Sequence, residues 1–212
     1  MTIAKQKRHL VVLGLGFVAS LAVFSKALGP YLTWEGEGLS LEILTLFLLP
    51  ITASVIFVLI ESLRVPRTST PQVPPADAAL DSIVFCILLF LMGVHVLVLS
   101  VLLQIEAVQS WASRGVVVLL GLTLIAIGNL LPRTRPNIAV GFRTARTLSD
   151  RQLWMLTHRA SGYIAVAIGV VTVISGVLGN GMQVAQWPAT AFLVGAIVLV
   201  ACYWKFSRVS PT

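Results

Sequence analysis

Six long apolar runs, at about residues 10–27, 42–60, 82–103, 115–131, 161–179 and 188–203, leave this chain few ways to fold. Each is near the ~20 residues that an α-helix needs to cross a bilayer. Within hydrocarbon every backbone N–H and C=O must find a partner inside the protein, so runs of this kind must be helices. A soluble helical protein needs roughly a quarter of its residues charged, whereas charged residues here make up 11% against 57% hydrophobic. The expectation is an all-α integral membrane protein, a bundle of six transmembrane helices embedded in the lipid bilayer. The first run has a basic start and a small-residue site at Ser25-Lys26-Ala27. It is too long for a signal peptide and is read as a true span.

Basic residues set the orientation. With the N-terminus inside, the inner segments hold thirteen Lys and Arg and the outer ones only Lys26 and Arg114. This is a positive-inside split, and it predicts both termini inside (N-in/C-in). A pI near 10.1 then reflects attraction to anionic lipid and gives no reason to expect direct nucleic-acid binding. The five Trp and three Tyr fall at expected span ends, which places Trp154 at the membrane surface.

The chain divides into a two-helix membrane region (1–61), a Pro-rich cytoplasmic linker (62–80) and a four-helix membrane region (81–212). Pro50 interrupts the second run and is expected to kink it. Gly121 and Gly128 in the fourth run, and Gly162, Gly169 and Gly176 in the fifth, recur every seven residues. That spacing keeps a narrow seam on one helix face, so runs four and five are expected to pair closely.

Between them lies the longest polar interval, Leu131 to Tyr163, which holds six of the fifteen basic residues, all Arg. It is expected to be a structured cytoplasmic loop between helices 4 and 5. Pro132 and Pro136 stop the fourth helix, and Asn137 and Gly141 suit turns. Ser149 and Gln152 have capping-box spacing, which starts a helix near Asp150 and places Trp154 and His158 on one face. Arg143, His158 and Arg159 are expected to share a polar cluster. The arginines fit either phosphate or carboxylate recognition or plain inner-face anchoring.

His95 is alone within the third run. Hydrogen bonding of a neutral ring to a hydroxyl or carbonyl of a neighbouring helix is the favoured reading, and a proton relay is the rival. His9, His95 and His158 show no metal-ligand spacing, so no metal and no cofactor are expected. Cys86 and Cys202 lie inside runs and read as reduced small hydrophobes. No nucleophile set suggests an enzyme.

The order Gly128-Asn129, Pro136-Asn137, Val140-Gly141-Phe142-Arg143-Thr144, Thr147-Leu148-Ser149, Trp154, Thr157-His158-Arg159 and Gly162 resembles the signature of the SdpI-type family of bacterial immunity membrane proteins. It departs at Ala145 and Arg146, where the family usually has Pro-Trp. The resemblance implies a multi-pass protein of the bacterial cytoplasmic membrane that protects against a secreted antimicrobial peptide or toxin. It also implies signalling, with a cytoplasmic repressor held at the inner loop. The partner-binding or motif residues it implies are Asn129, Asn137, Gly141, Arg143, Thr144, Thr147, Ser149, Trp154, Thr157, His158, Arg159 and Gly162. A small-solute or peptide transporter built around His95 and Pro50, and an integral-membrane enzyme using His158 as general base, are the alternatives from other classes.

Overall fold

The computed structural model describes residues 3–27, 41–62, 76–137 and 139–209. The expected first outer loop, with Tyr31 and Trp34, and the linker at 63–75 lie outside the described residues. Eight α-helices are described: α1 (Ile3–Ala27), α2 (Leu41–Ser62), α3 (Ala76–Leu102), α4 (Glu106–Gln109), α5 (Ala112–Leu130), α6 (Ala145–Ser149), α7 (Arg151–Leu178) and α8 (Gln183–Val209). There is no strand among the described residues.

Each apolar run lies within one helix or within one helix and its adjoining turn, as lipid demands. Five helices have segments long and apolar enough to cross a membrane: Lys7–Ser25, Ala78–Leu102, Ala112–Arg133, Arg151–Leu178 and Gln183–Arg208. The described apolar part of α2 is shorter, Leu46–Ser62. Apolar side chains such as Leu15, Val18, Val58, Leu193 and Ile197 are exposed on the outside of the bundle. That is how a multi-pass membrane protein presents itself to lipid. The last residues of the expected linker, Ala76 to Leu80, are the first turns of α3.

Helices α1, α2 and α3 pack as one bundle, and α3 also packs on α5. The two front helices are therefore joined to the rest through α3. Their core is layered. Leu13, Ala53, Phe57, Val84 and Leu88 form one apolar cluster. Val23, Leu46 and Leu99 form a second. Below the first cluster His9 is fully buried, its ring 5.4 Å from Phe57 and 5.7 Å from Phe85. Asp81 is buried beside it, and His9 Nε2 donates to the Asp81 carbonyl at 3.3 Å. Arg8 stacks its guanidinium over Phe85 at 4.5 Å.

The glycine seam forms. Helices α5 and α7 run antiparallel, with Gly121 facing Gly169 and Gly128 facing Gly162. A β-carbon on Gly121 would lie 2.7 Å from the Gly169 carbonyl, and one on Gly162 would lie 2.6 Å from the Gly128 carbonyl. Backbone meets backbone here, so no flexible side chain can give way. Gly176 extends the seam against Val118, and Gly195 of α8 receives Ile164 and Ile168 of α7.

Two prolines lie inside helices, Pro50 in α2 and Pro188 in α8. Each lacks the N–H that would bond the carbonyl four residues earlier. In both cases a serine from the preceding long helix supplies the missing donor. Ser20 Oγ of α1 donates to the Leu46 carbonyl at 2.7 Å. Ser175 Oγ of α7 lies 3.0 Å from the Val184 carbonyl and 3.0 Å from that of Gln183.

Gly169→Ala is expected to lower the thermal stability of the protein in detergent by about 1–3 kcal/mol, the usual cost of overpacking, and Gly169→Leu by more. Gly14→Ala is the control, because nothing lies within 4 Å of its β-position. Equal melting temperatures for Gly169→Ala and Gly14→Ala would count against the seam.

Candidate functional site: the loop that caps α5 and α7

The loop from Leu131 to Asp150 is a folded cap, built by short-range hydrogen bonds. A 3₁₀ turn at Leu131–Arg133 ends α5 with Pro132 at its start. Pro132 packs on Gly162 of α7, where a β-carbon would come within 3.0 Å of its ring. Thr134 is buried and donates its hydroxyl to the Leu131 carbonyl at 2.7 Å. Asn137 organises the next turn. Its Oδ1 accepts from Ala139 N at 3.0 Å and Val140 N at 2.8 Å, and its Nδ2 donates to the Arg135 carbonyl at 2.8 Å. This is the Asx-type turn that the sequence suggested for Asn137.

Gly141 follows with φ of +111°, a conformation that L side chains rarely adopt. It has a second reason to lack a side chain, since a β-carbon there would collide with His158 Nε2. His158 is fully buried. Its Nδ1 donates to the Trp154 carbonyl at 3.0 Å, which leaves the Nε2 lone pair facing Gly141. Nε2 has no hydrogen-bond partner among the described residues. The His158 ring stacks on the Trp154 indole, 3.7 Å between centroids at 16°. The shared face expected of these two residues is present.

Trp154 itself is not an interfacial anchor. It is 0% exposed, and its indole N–H donates to the Thr134 carbonyl at 3.0 Å. A buried tryptophan needs a partner for that N–H, and the folded-back loop provides one. Trp111, Trp187 and Trp204 are exposed, as lipid-interface residues should be.

The next helix starts where expected, but its cap differs from expectation. Helix α7 begins at Arg151, capped by Asp150, whose Oδ1 accepts from Gln152 N at 2.8 Å and Leu153 N at 3.0 Å. Ser149 does not cap it. Ser149 closes the five-residue helix α6, with its hydroxyl donating to the Arg146 carbonyl at 3.1 Å. The capping box lies one step earlier, at Thr144 and Thr147. Thr147 N donates to Thr144 Oγ1 at 3.1 Å, and Thr144 N donates to Thr147 Oγ1 at 2.8 Å. Sequence reasoning missed this helix, although a hydroxyl pair three residues apart was a usable signal. Ala145 is its first residue, a position that suits the proline found there in the family signature.

Contacts to α8 complete the cap. The Phe142 and Tyr203 rings lie 5.2 Å apart, and Thr144 Oγ1 is 3.3 Å from the Tyr203 hydroxyl. Thr157 is fully buried, and its carbonyl accepts from Ser161 Oγ at 2.8 Å.

The expected cluster of Arg143, His158 and Arg159 is not assembled. Both arginines are exposed while His158 is buried under Gly141. Arg159 interacts instead with Tyr163 one turn further along α7. Asn129 is exposed and donates to its own helix at the Ile125 carbonyl, 2.9 Å. The motif therefore sorts into two sets. Asn137, Gly141, Thr144, Thr147, Trp154, Thr157, His158 and Gly162 build the cap. Arg143 and Arg159, with Arg133, Arg135 and Arg151, remain at its surface.

Residues 133–204 match the SdpI/YfhL protein family. The SdpI/YfhL region thus runs from the cap through α7 into α8, and α1 to α5 lie before it. No curated protein and no solved structure matches the chain.

His95 lies outside the SdpI/YfhL region and outside the cap. Its ring is fully buried in the front bundle, with Nε2 2.9 Å from Ser20 Oγ. The expected bond to a hydroxyl of a neighbouring helix is present. No group of three or more His, Cys, Asp and Glu with metal-site geometry occurs among the described residues.

Trp154→Phe keeps an aromatic ring against His158 but leaves the buried Thr134 carbonyl without its donor. The expected cost is about 1–3 kcal/mol, together with faster proteolysis between Leu131 and Asp150. Thermal unfolding in detergent and limited proteolysis both read it. An unchanged melting temperature and cleavage rate would show that the indole bond does not hold the cap.

Proposed function

We propose that this chain is a bacterial cytoplasmic-membrane immunity protein that gives resistance to a secreted antimicrobial peptide or toxin. The observation that carries the reading is the SdpI/YfhL match over residues 133–204, whose motif residues build one folded cap on the ends of α5, α7 and α8. Side chains spent on turns, caps and a buried Trp–His stack produce a rigid surface, and rigid surfaces suit recognition.

The orientation proposed with it is six spans with both termini inside, following the charge split. The cap then faces the cytoplasm. Its exposed arginines, Arg143 and Arg159 among them, offer planar forks for carboxylate or phosphate groups of a cytoplasmic partner such as a repressor. The peptide toxin is met on the other side, at the outer face or within the membrane. The proposed action is binding, and the reading involves no catalytic step.

A transporter is the second reading. It is favoured by one observation, that His95 and the carbonyl released by Pro50 meet at Ser20.

Two tests follow from the first reading. Reporter fusions at Gln109 and Asn180 are expected to lack cytoplasmic activity, whereas a fusion after Val209 is expected to have it; the reverse pattern rejects the orientation. In a sensitive host challenged with candidate peptides, Arg143→Lys keeps the charge but loses the fork. It is expected to weaken protection several-fold at unchanged membrane abundance. If Arg143→Lys and Arg143→Ala both protect like the parent, the arginine serves only as an inner-face charge.

A further inference from the structure

We propose that the contact of His95, Ser20 and the Leu46 carbonyl is a proton-binding site within the membrane. It goes beyond the immunity reading, since none of its residues lies in the SdpI/YfhL region.

The geometry assigns the protons. Ser20 has one hydroxyl hydrogen, and two backbone acceptors lie within reach, Leu46 O at 2.7 Å and Gly16 O at 3.1 Å. The Leu46 carbonyl is the nearest acceptor and, with proline at position 50, has no backbone donor, so the hydroxyl donates to it. Ser20 Oγ must then accept from His95, which places a hydrogen on Nε2. The ring is thus held in the Nε2–H form, with a lone pair on Nδ1. That atom is buried and has no hydrogen-bond partner among the described residues.

A histidine kept only to tie helices together would do so more cheaply with both nitrogens satisfied. An unpartnered buried acceptor costs on the order of 1–3 kcal/mol. The Nδ1 lone pair is where a proton can be taken up. On the other side of the ring, the charge that results is met by a relay. Nε2–H donates to Ser20, and Ser20 donates to a carbonyl that has no N–H of its own because residue 50 is proline. Backbone carbonyls released at helix breaks stabilise cations in membrane proteins in the same way. A charged donor also strengthens such a bond, so proton uptake tightens the link between α3, α1 and α2.

The surroundings carry no competing charge among the described residues. From α1 the site faces Gly16, Ser20 and Val23, and from α2 it faces Leu46 and Pro50. The neighbouring residues of α3 on this face are Met92 and Leu99. Helix α5 packs on α3 through Leu119 at Gly93 and through Gly115 at Leu97. Its Arg114 turns away, 5.5 Å from the Trp111 ring and 3.5 Å from Asn180 Oδ1. The other buried ionisable groups of this bundle, His9 and Asp81, lie beyond the apolar layer of Leu13, Ala53, Val84 and Leu88. Asp81 is fourteen residues from His95 along α3, roughly 21 Å at 1.5 Å per residue.

Three histidines in the whole chain make the test direct. The full-length protein, ¹⁵N-labelled at histidine and held in detergent micelles, is titrated by NMR between pH 8 and pH 4.5, with His95→Gln identifying the resonance. The expected result is that the His95 ring begins as the neutral Nε2–H form and becomes doubly protonated while the protein remains folded. Ser20→Ala removes the relay and is expected to lower the proton affinity of His95 at least tenfold. Pro50→Ala gives α2 its own donor to Leu46 O and is expected to lower the affinity as well. A ring that stays neutral throughout the folded range overturns the proposal in the parent protein alone. A titration unchanged by both Ser20→Ala and Pro50→Ala also overturns it. Toxin protection is not read in this experiment, so its outcome is separate from that of the immunity reading.

Discussion

Hydrocarbon offers no hydrogen bonds, and this constraint shapes the whole molecule. Every backbone group in a span needs a partner from the protein. Long helices meet most of that demand by themselves. What remains are the places where a helix breaks its own pattern, at Pro50 and Pro188. There a serine from an adjacent helix completes the bonding. Each such contact does two jobs, since it satisfies a carbonyl and fixes the depth of one helix against another.

Association in lipid cannot rely on the hydrophobic effect, so close packing carries it. The α5–α7 seam shows how far this goes. Reciprocal glycines bring carbonyls to the positions that β-carbons would fill. The seam also positions the cap. Gly162 receives both the Gly128 backbone and the Pro132 ring, so the point where α5 ends is also the point where the loop turns back. From there Thr134 reaches the Trp154 indole, and Gly141 reaches the His158 ring. Close helix approach, loop reversal and the buried Trp–His stack form one connected piece of packing.

Much of the architecture was legible in the sequence because its signals are periodic. The apolar runs became helices, and the seven-residue glycine spacing became a seam. The cap was legible only in part. Asn137 and Gly141 act locally and could be placed from their own chemistry. Trp154 could not, because its partner is a backbone carbonyl twenty residues earlier. The shared cluster of Arg143, His158 and Arg159 failed for a geometric reason. Adjacent helical residues point about 100° apart, so when His158 faces the loop Arg159 faces out. His9 and Asp81 are both buried where α1, α2 and α3 meet. Nothing in one helix's own pattern announces the neighbours that bury it. Ser20 and Ser175 were likewise ordinary until a neighbouring proline made them necessary.

The order of these serines along the chain bears on how the protein is made. Ser20 precedes Pro50, and Ser175 precedes Pro188. A span that leaves the ribosome with an unsatisfied carbonyl therefore arrives beside a helix already synthesised, carrying the donor it needs. The second helix of each pair can enter lipid without first exposing a bare backbone group to acyl chains. The sequence order thus suits insertion as hairpins, α1 with α2 and α7 with α8.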